Sequence, residues 1–174
     1  MVYALINKPY ILDLSPGNSM IEYLVGRGFD VYLIDWGTPG LEDRNMKLDD
    51  YVMDYLPRAV KKVLRTSGAD EVSLLGYCMG GTLTSMFASL HEQLPIRNLI
   101  FMTSPFDFSD AGLFTNWLDE KHFNLDKLVD TLGIIPPEMI DFGNKMLKPM
   151  VNFYGPYVTL VDRAENENLS LVGN

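Results

Sequence analysis

The sequence predicts an α/β fold built on parallel strands, and three features carry that prediction. Short β-like runs that are apolar almost throughout, DVYLIDW (30–36), EVSLLGY (71–77) and IRNLIFMTS (96–104), recur along the chain. Stretches with helical periodicity separate them, which is how helices come to cover both faces of a parallel sheet. Finally, GYCMGG at 76–81 is a G-x-C-x-G pattern placed where a strand gives way to a helix, the nucleophile-elbow spacing with sulfur in place of oxygen.

Each element has its own signal. VYALI (2–6) is a brief apolar run at the start, and ILDL (11–14) follows Pro9-Tyr10. SPGNSMIEYLVGRG (15–28) supplies turn residues, an N-cap at Asn18 or Ser19, and an amphipathic helix closed by Gly26 or Gly28. The run 30–36 reads as a strand entering a Gly-Thr-Pro-Gly turn. Residues 49–66 begin with acids and end with bases, as a helix dipole favours; Pro57 either kinks this helix or opens a second segment, and Gly68 ends it. TLTSMFASLHEQL (82–94) is an amphipathic helix behind the elbow, and Pro105 ends the strand that follows it. Beyond 106 aromatics and acids mix, with helices expected near 124–132, 137–148 and 156–167. The organisation expected is a core segment over 1–105, a helical cap or insertion over 106–167, and a frayed tail over 168–174.

With 174 residues, 47% of them hydrophobic, the chain can bury one sizeable core. A formal charge of −9 argues against nucleic-acid partners. No apolar run is long enough to span a bilayer, and MVYALINKPY lacks the regions of a signal peptide. A single cysteine excludes an internal disulfide, so the expected location is the cytoplasm, where a thiol stays reduced. Two isolated histidines and one cysteine make no metal-ligand cluster, so no metal is expected.

The elbow makes Cys78 the candidate nucleophile. Gly76 and Gly80, with Gly81 beside them, are small enough to let strand and helix pass closely around a strained residue. The helix N-terminus directs free N–H groups and partial positive charge at Cys78, which favours an anionic sulfur. The Met79 backbone N–H is one expected oxyanion-hole donor, and the second is expected from the loop after the first strand, at Leu5 or Ile6. The bland alternative is a buried structural cysteine among packing glycines. A thiol nucleophile in this setting needs a histidine base oriented by a carboxylate. His91 falls about 18 Å along the elbow helix from Cys78, too far to act as base. His122, in EKHFN, reads as a surface residue of the cap. Asp35 and Asp107 follow strands on the side where α/β sites form, and Asp107 is a candidate alternative acid against an ordinary turn or cap role. The nucleophile is thus visible and its base is not.

NKPYILDL, GFDVYLIDWGTPGLED, GYCMGGT, IRNLIFMTSPFDFS, and FNLDKLVD followed by IPPEMIDFGNKMLKP together resemble the catalytic subunit of polyhydroxyalkanoate synthases. The resemblance is to the two-subunit class III/IV kind, with the Bacillus-like class nearest, and runs from about residue 2 to residue 167. It implies an α/β-hydrolase fold with a cap, here partial and lacking the first and last strands. It also implies that the Cys78 thiolate accepts an (R)-3-hydroxyacyl group from coenzyme A, which is substrate and not cofactor. A hydroxyl activated by a histidine then extends the polyester. Implied partners are (R)-3-hydroxyacyl-CoA, a second synthase subunit, the polymer granule surface and a second copy of the chain. Because the family's catalytic Asp and His lie beyond the matching residues, the chain is expected to be an internal fragment of a longer synthase. Its unpaired strand edges predict poor solubility. Two other readings stand beside this one: a cysteine-elbow hydrolase of the dienelactone type, and a non-catalytic remnant that binds a partner subunit through apolar residues such as Phe106, Phe108, Phe114 and Trp117.

Overall fold

The computed structural model describes residues 1–109, 124–147 and 150–165. It divides into two compact units, Met1–Asp110 and Ala111–Asn174.

The first unit begins with Val2 inserted beside the central strand. A 3-10 turn, Pro9–Ile11, leads into a small antiparallel hairpin of β1 (Asp13–Ser15) and β2 (Asn18–Ser19). Helix α1 (Met20–Gly26) starts at Ser19, whose hydroxyl accepts the Glu22 N–H at 2.9 Å. That satisfies one of the orphan donors of the first turn and settles the cap between the two expected residues. The chain leaves α1 through Gly28, whose φ of +87° suits glycine.

Pro57 does open a second segment. Asp50–Tyr55 is a π-helical turn, closed onto the next segment by the Leu56 N–H bonding Tyr51 O, and α2 (Leu56–Ser67) follows. The wider turn absorbs a proline that has no N–H to give. Gly68 closes α2 in the left-handed conformation at φ +71°. Strand β3 (Val72–Tyr77) runs straight into α3 (Met79–Leu90), which begins earlier than the periodicity suggested and ends at His91. Strand β4 (Ile96–Met102) lies parallel to β3, with Leu74 opposite Leu99 and Tyr77 opposite Met102.

One expectation is overturned: residues 30–36 form no strand. Their backbone pairing is a single parallel step, from Met1 N to Tyr32 O at 2.6 Å and from Ile34 N to Met1 O at 3.1 Å. A ladder needs a run of partners, and among the described residues only Met1 pairs its backbone with this segment. The segments nevertheless lie side by side in the order 30–36, Met1–Val2, β3, β4. Val2 bridges Gly76 in parallel, with its N–H on Leu75 O and its carbonyl accepting the Tyr77 N–H, both at 2.8 Å.

The core of this unit is Val2, Val52, Leu56, Val60, Leu74, Leu83 and Phe87, contributed by the π-turn, α2, β3 and α3. Burying such side chains is worth about 1.5–3 kcal/mol each before entropy is counted. In contrast, β4 leaves Leu99, Ile100 and Phe101 well exposed.

The second unit is helical where it is described. Helix α4 (Leu125–Leu132) is capped by Asn124, whose side chain accepts the Lys127 N–H at 2.8 Å, and it ends at Gly133. Helix α5 (Pro137–Leu147) starts on a proline, a π-turn spans Met150–Tyr154, and α6 (Gly155–Glu165) follows directly. Tyr157, Val158, Leu160 and Val161 of α6 are all exposed.

Three glycines permit the passage from β3 to α3. A Cβ on Gly76 would come within 2.5 Å of Thr84 Oγ1 and 2.7 Å of Gly81 N. On Gly80 it would lie 2.7 Å from the Val2 carbonyl carbon and 2.8 Å from that of Tyr3, and on Gly81 it would meet Ser104 Cβ at 2.6 Å. Three of these obstacles, Gly81 N and the carbonyl carbons of Val2 and Tyr3, are backbone and cannot swing aside. Gly80→Ala is therefore expected to destabilise the chain by about 2–4 kcal/mol. Gly26→Ala, where nothing lies within 4 Å, is expected to be neutral or stabilising by up to about 1 kcal/mol. Urea midpoints of the two variants compare them directly; equal midpoints would contradict the packing described. The exposed apolar strand β4 should also drive self-association, and Ile100→Lys is expected to suppress it. Light scattering that is equally concentration-dependent in both proteins would place the association elsewhere.

Candidate active site

Cys78 occupies the apex of the turn between β3 and α3. Its φ of +54° and ψ of −133° are a backbone conformation that residues with a side chain rarely adopt. Holding it there costs on the order of 1–3 kcal/mol, which persists only where the surroundings over-determine it. They do so here. The Cys78 N–H bonds Met102 O at 2.9 Å, and its carbonyl accepts the Gly81 N–H at 2.8 Å. Ser104 Oγ reaches both Gly76 O and Met102 O at 3.3 Å, pinning the end of β4 to the end of β3. Thr82 Oγ1 donates to Pro105 O at 2.7 Å, and the fully buried Thr84 donates to Gly80 O and Gly81 O, each at 3.0 Å. Cys78 itself is partly accessible.

The thiol therefore sits at the first turn of α3, whose unpaired N–H groups and dipole favour negative charge. The Met79 N–H belongs to that turn, and among the described residues no hydrogen bond uses it. The chain after Val2 crosses directly over the same turn, because Gly80 lies against the Val2–Tyr3 backbone. Leu5 and Ile6 are the central residues of a tight turn closed by the Asn7 N–H on Ala4 O at 2.9 Å. Their own N–H groups likewise have no partner among the described residues. The fold thus brings the approach to Leu5 and Ile6, Met79 and Cys78 to one corner.

The other acids and bases are placed differently. His91 caps the far end of α3, with Nε2 3.2 Å from Val52 O and its ring 5.0 Å from that of Phe87, so it serves packing. His122, Phe114 and Trp117 lie outside the described residues. Asp107 is exposed and accepts the Ser109 N–H at 2.9 Å. The Ser109 hydroxyl and N–H hold its carboxyl below the usual carboxylate range. Asp35 accepts from Gly37 N at 2.9 Å and from the Tyr3 hydroxyl at 3.4 Å. Burial raises the Tyr3 hydroxyl above the usual tyrosine range, the Asp35 carboxylate adds to this, and the Trp36 N–H opposes it. A groove of about 540 Å³ opens beside this cluster, lined by Leu5, Ile34, Trp36, Tyr51, Tyr55 and Arg58 among others. Cys78 does not line it.

Sequence reasoning missed the straps. Thr82, Thr84 and Ser104 look like ordinary helix and turn residues, and Tyr3, Lys8 and Trp36 carry no motif.

Comparison with known proteins gives the family. A family model for the alpha/beta hydrolase fold matches residues 11–133. A poly(3-hydroxyalkanoate) polymerase subunit PhaC of Haloferax mediterranei is 44% identical over 169 residues, covering 97% of this chain and 34% of the relative. The subunit of the same name from Allochromatium vinosum is 40% identical over 163 residues, covering 93% and 45%. That of Cupriavidus necator is 34% identical over 136 residues, covering 76% and 23%. The chain spans between about a third and a half of the length of the first two relatives. The match over residues 11–133 identifies the chain as a member of the alpha/beta hydrolase fold family, and over most of its length it is similar to PhaC polymerase subunits.

Proposed function

We propose that this chain carries the acyl-accepting centre of a polyhydroxyalkanoate polymerase, with Cys78 as nucleophile. The observation that carries the reading is the strained Cys78 backbone at the start of α3, in a chain similar to polymerases of that name. The sulfur attacks the carbonyl carbon of an (R)-3-hydroxyacyl-CoA thioester. The carbonyl oxygen takes the charge and is met by the Met79 N–H and by an N–H of Leu5 or Ile6. Collapse of the tetrahedral intermediate expels the coenzyme A thiolate and leaves the acyl group on Cys78. One thioester is exchanged for another, so the step is nearly balanced, and a thiolate leaves more readily than an alkoxide when a hydroxyl attacks next.

Extension of the polymer adds a second requirement, a base that removes the proton of the attacking hydroxyl. His91 is committed to Val52 O and the packing of α3. The base is therefore assigned to a histidine other than His91, oriented by a carboxylate. The exposed apolar residues of α6 suit contact with a second subunit or with the polymer surface.

Incubation of the chain with (R)-3-hydroxybutyryl-CoA tests the proposal. Intact-mass measurement is expected to show one hydroxybutyryl group added to the chain, with free coenzyme A released, and neither event in Cys78→Ala. A chain whose thiol reacts with iodoacetamide but never gains the acyl group would sink the reading.

A further inference from the structure

The turn that carries Leu5 and Ile6 is held at its two ends by one neighbouring segment. At its entrance the Trp36 indole N–H donates to Tyr3 O at 3.0 Å. At its exit Lys8 Nζ donates to Gly37 O at 2.7 Å and to Thr38 Oγ1 at 2.5 Å. Both anchors lie within residues 36–38, and that stretch is itself fixed. Gly37 adopts φ +72°, and its N–H is bound by the Asp35 carboxylate.

The exit needs such an anchor. Pairing with β3 stops at Val2, and the entrance is then held by contact of the Val2–Tyr3 backbone with Gly80. Past Asn7 no strand holds the chain; a 3-10 turn begins instead, with the Ile11 N–H on Lys8 O at 3.0 Å. Among the described residues, Lys8 makes the hydrogen bonds that join residues 5–8 to the 36–38 segment. A half-exposed ammonium adds modestly to overall stability. Its larger effect is on where the turn points.

We propose that Lys8 is a positioning residue for acylation. By clamping the Leu5–Ile6 turn to Gly37 and Thr38, it sets the turn's unpartnered N–H groups where the thioester oxygen gains negative charge. The inference rests on the reading of Cys78 as acyl acceptor. It assigns Lys8 no contact with the substrate. A donor displaced by about 1 Å from a developing oxyanion forfeits one to two orders of magnitude in rate.

The test compares two reactions of the same sulfur. Acylation by (R)-3-hydroxybutyryl-CoA forms an oxyanion; alkylation by iodoacetamide forms none. In Lys8→Met the saturating acylation rate is expected to fall by about tenfold to a hundredfold. The half-saturating concentration and the alkylation rate should stay where they are. Lys8→Arg, which keeps a cationic donor, should recover most of the loss. Thr38→Val, which deletes one acceptor on the far side, should reproduce part of it and serves if Lys8→Met fails to fold by circular dichroism. The proposal is overturned if acylation is unchanged, if acylation and alkylation fall together, or if the loss lies wholly in half-saturation. An unaltered chain that is alkylated but never acylated overturns the acyl-acceptor reading itself, whereas acylation insensitive to Lys8 overturns only the clamp.

Discussion

Strand β3 passes into helix α3 without a loop between them, and everything else about the first unit accommodates that join. A strand ending at Tyr77 and a helix beginning at Met79 leave one residue to reverse the chain, so Cys78 takes a positive φ. The reversal brings Gly76 against Gly81, Gly80 against the chain at Val2–Tyr3, and Gly81 against Ser104. Each contact is between atoms that a single methyl group would separate. The glycines are therefore a geometric requirement of the turn. Their cost in backbone entropy is offset by the packing of three segments at one point. The hydroxyls of Thr82, Thr84 and Ser104 add hydrogen bonds to carbonyls around this join. The result is a nucleophile whose position is fixed by backbone, which no rotamer change of a neighbour can relax.

How much of this was legible beforehand depends on the range of the interaction. Local chemistry read well: a cap at Asn18 or Ser19, the Gly68 stop, a kink or second segment at Pro57 and a helix near 124–132 are decided by residues within a turn of one another. The elbow read well for the same reason, since G-x-C-x-G states its own geometry. What failed was pairing. DVYLIDW has the composition of a strand, yet strand formation belongs to two segments at once, and its neighbour offers one residue. The start of α3 was placed late because Gly80 and Gly81 look like helix breakers. They are tolerated as the first turn because tertiary contact leaves no alternative there. The clamp from Lys8 to Gly37 and Thr38 spans about thirty residues, and no periodicity or motif encodes a contact of that range.

The parts of the site also divide according to the chemistry they serve. Accepting an acyl group requires a nucleophile, a developing-charge acceptor and a means of holding both in register. Here these come from β3, the first turn of α3 and the segment after Val2, joined by backbone hydrogen bonds and by Gly80. Activating a hydroxyl requires a titratable base, and the histidine within the described residues is bound into packing. Sulfur makes this separation workable. A serine in the same place would need its proton removed before it could attack at all. A thiol is a far better nucleophile than a hydroxyl without such help. The acyl-accepting half of the reaction can then be assembled wholly by the sheet and its elbow. On the proposed reading, the proton-transfer half can be supplied by a separate segment without either half distorting the other.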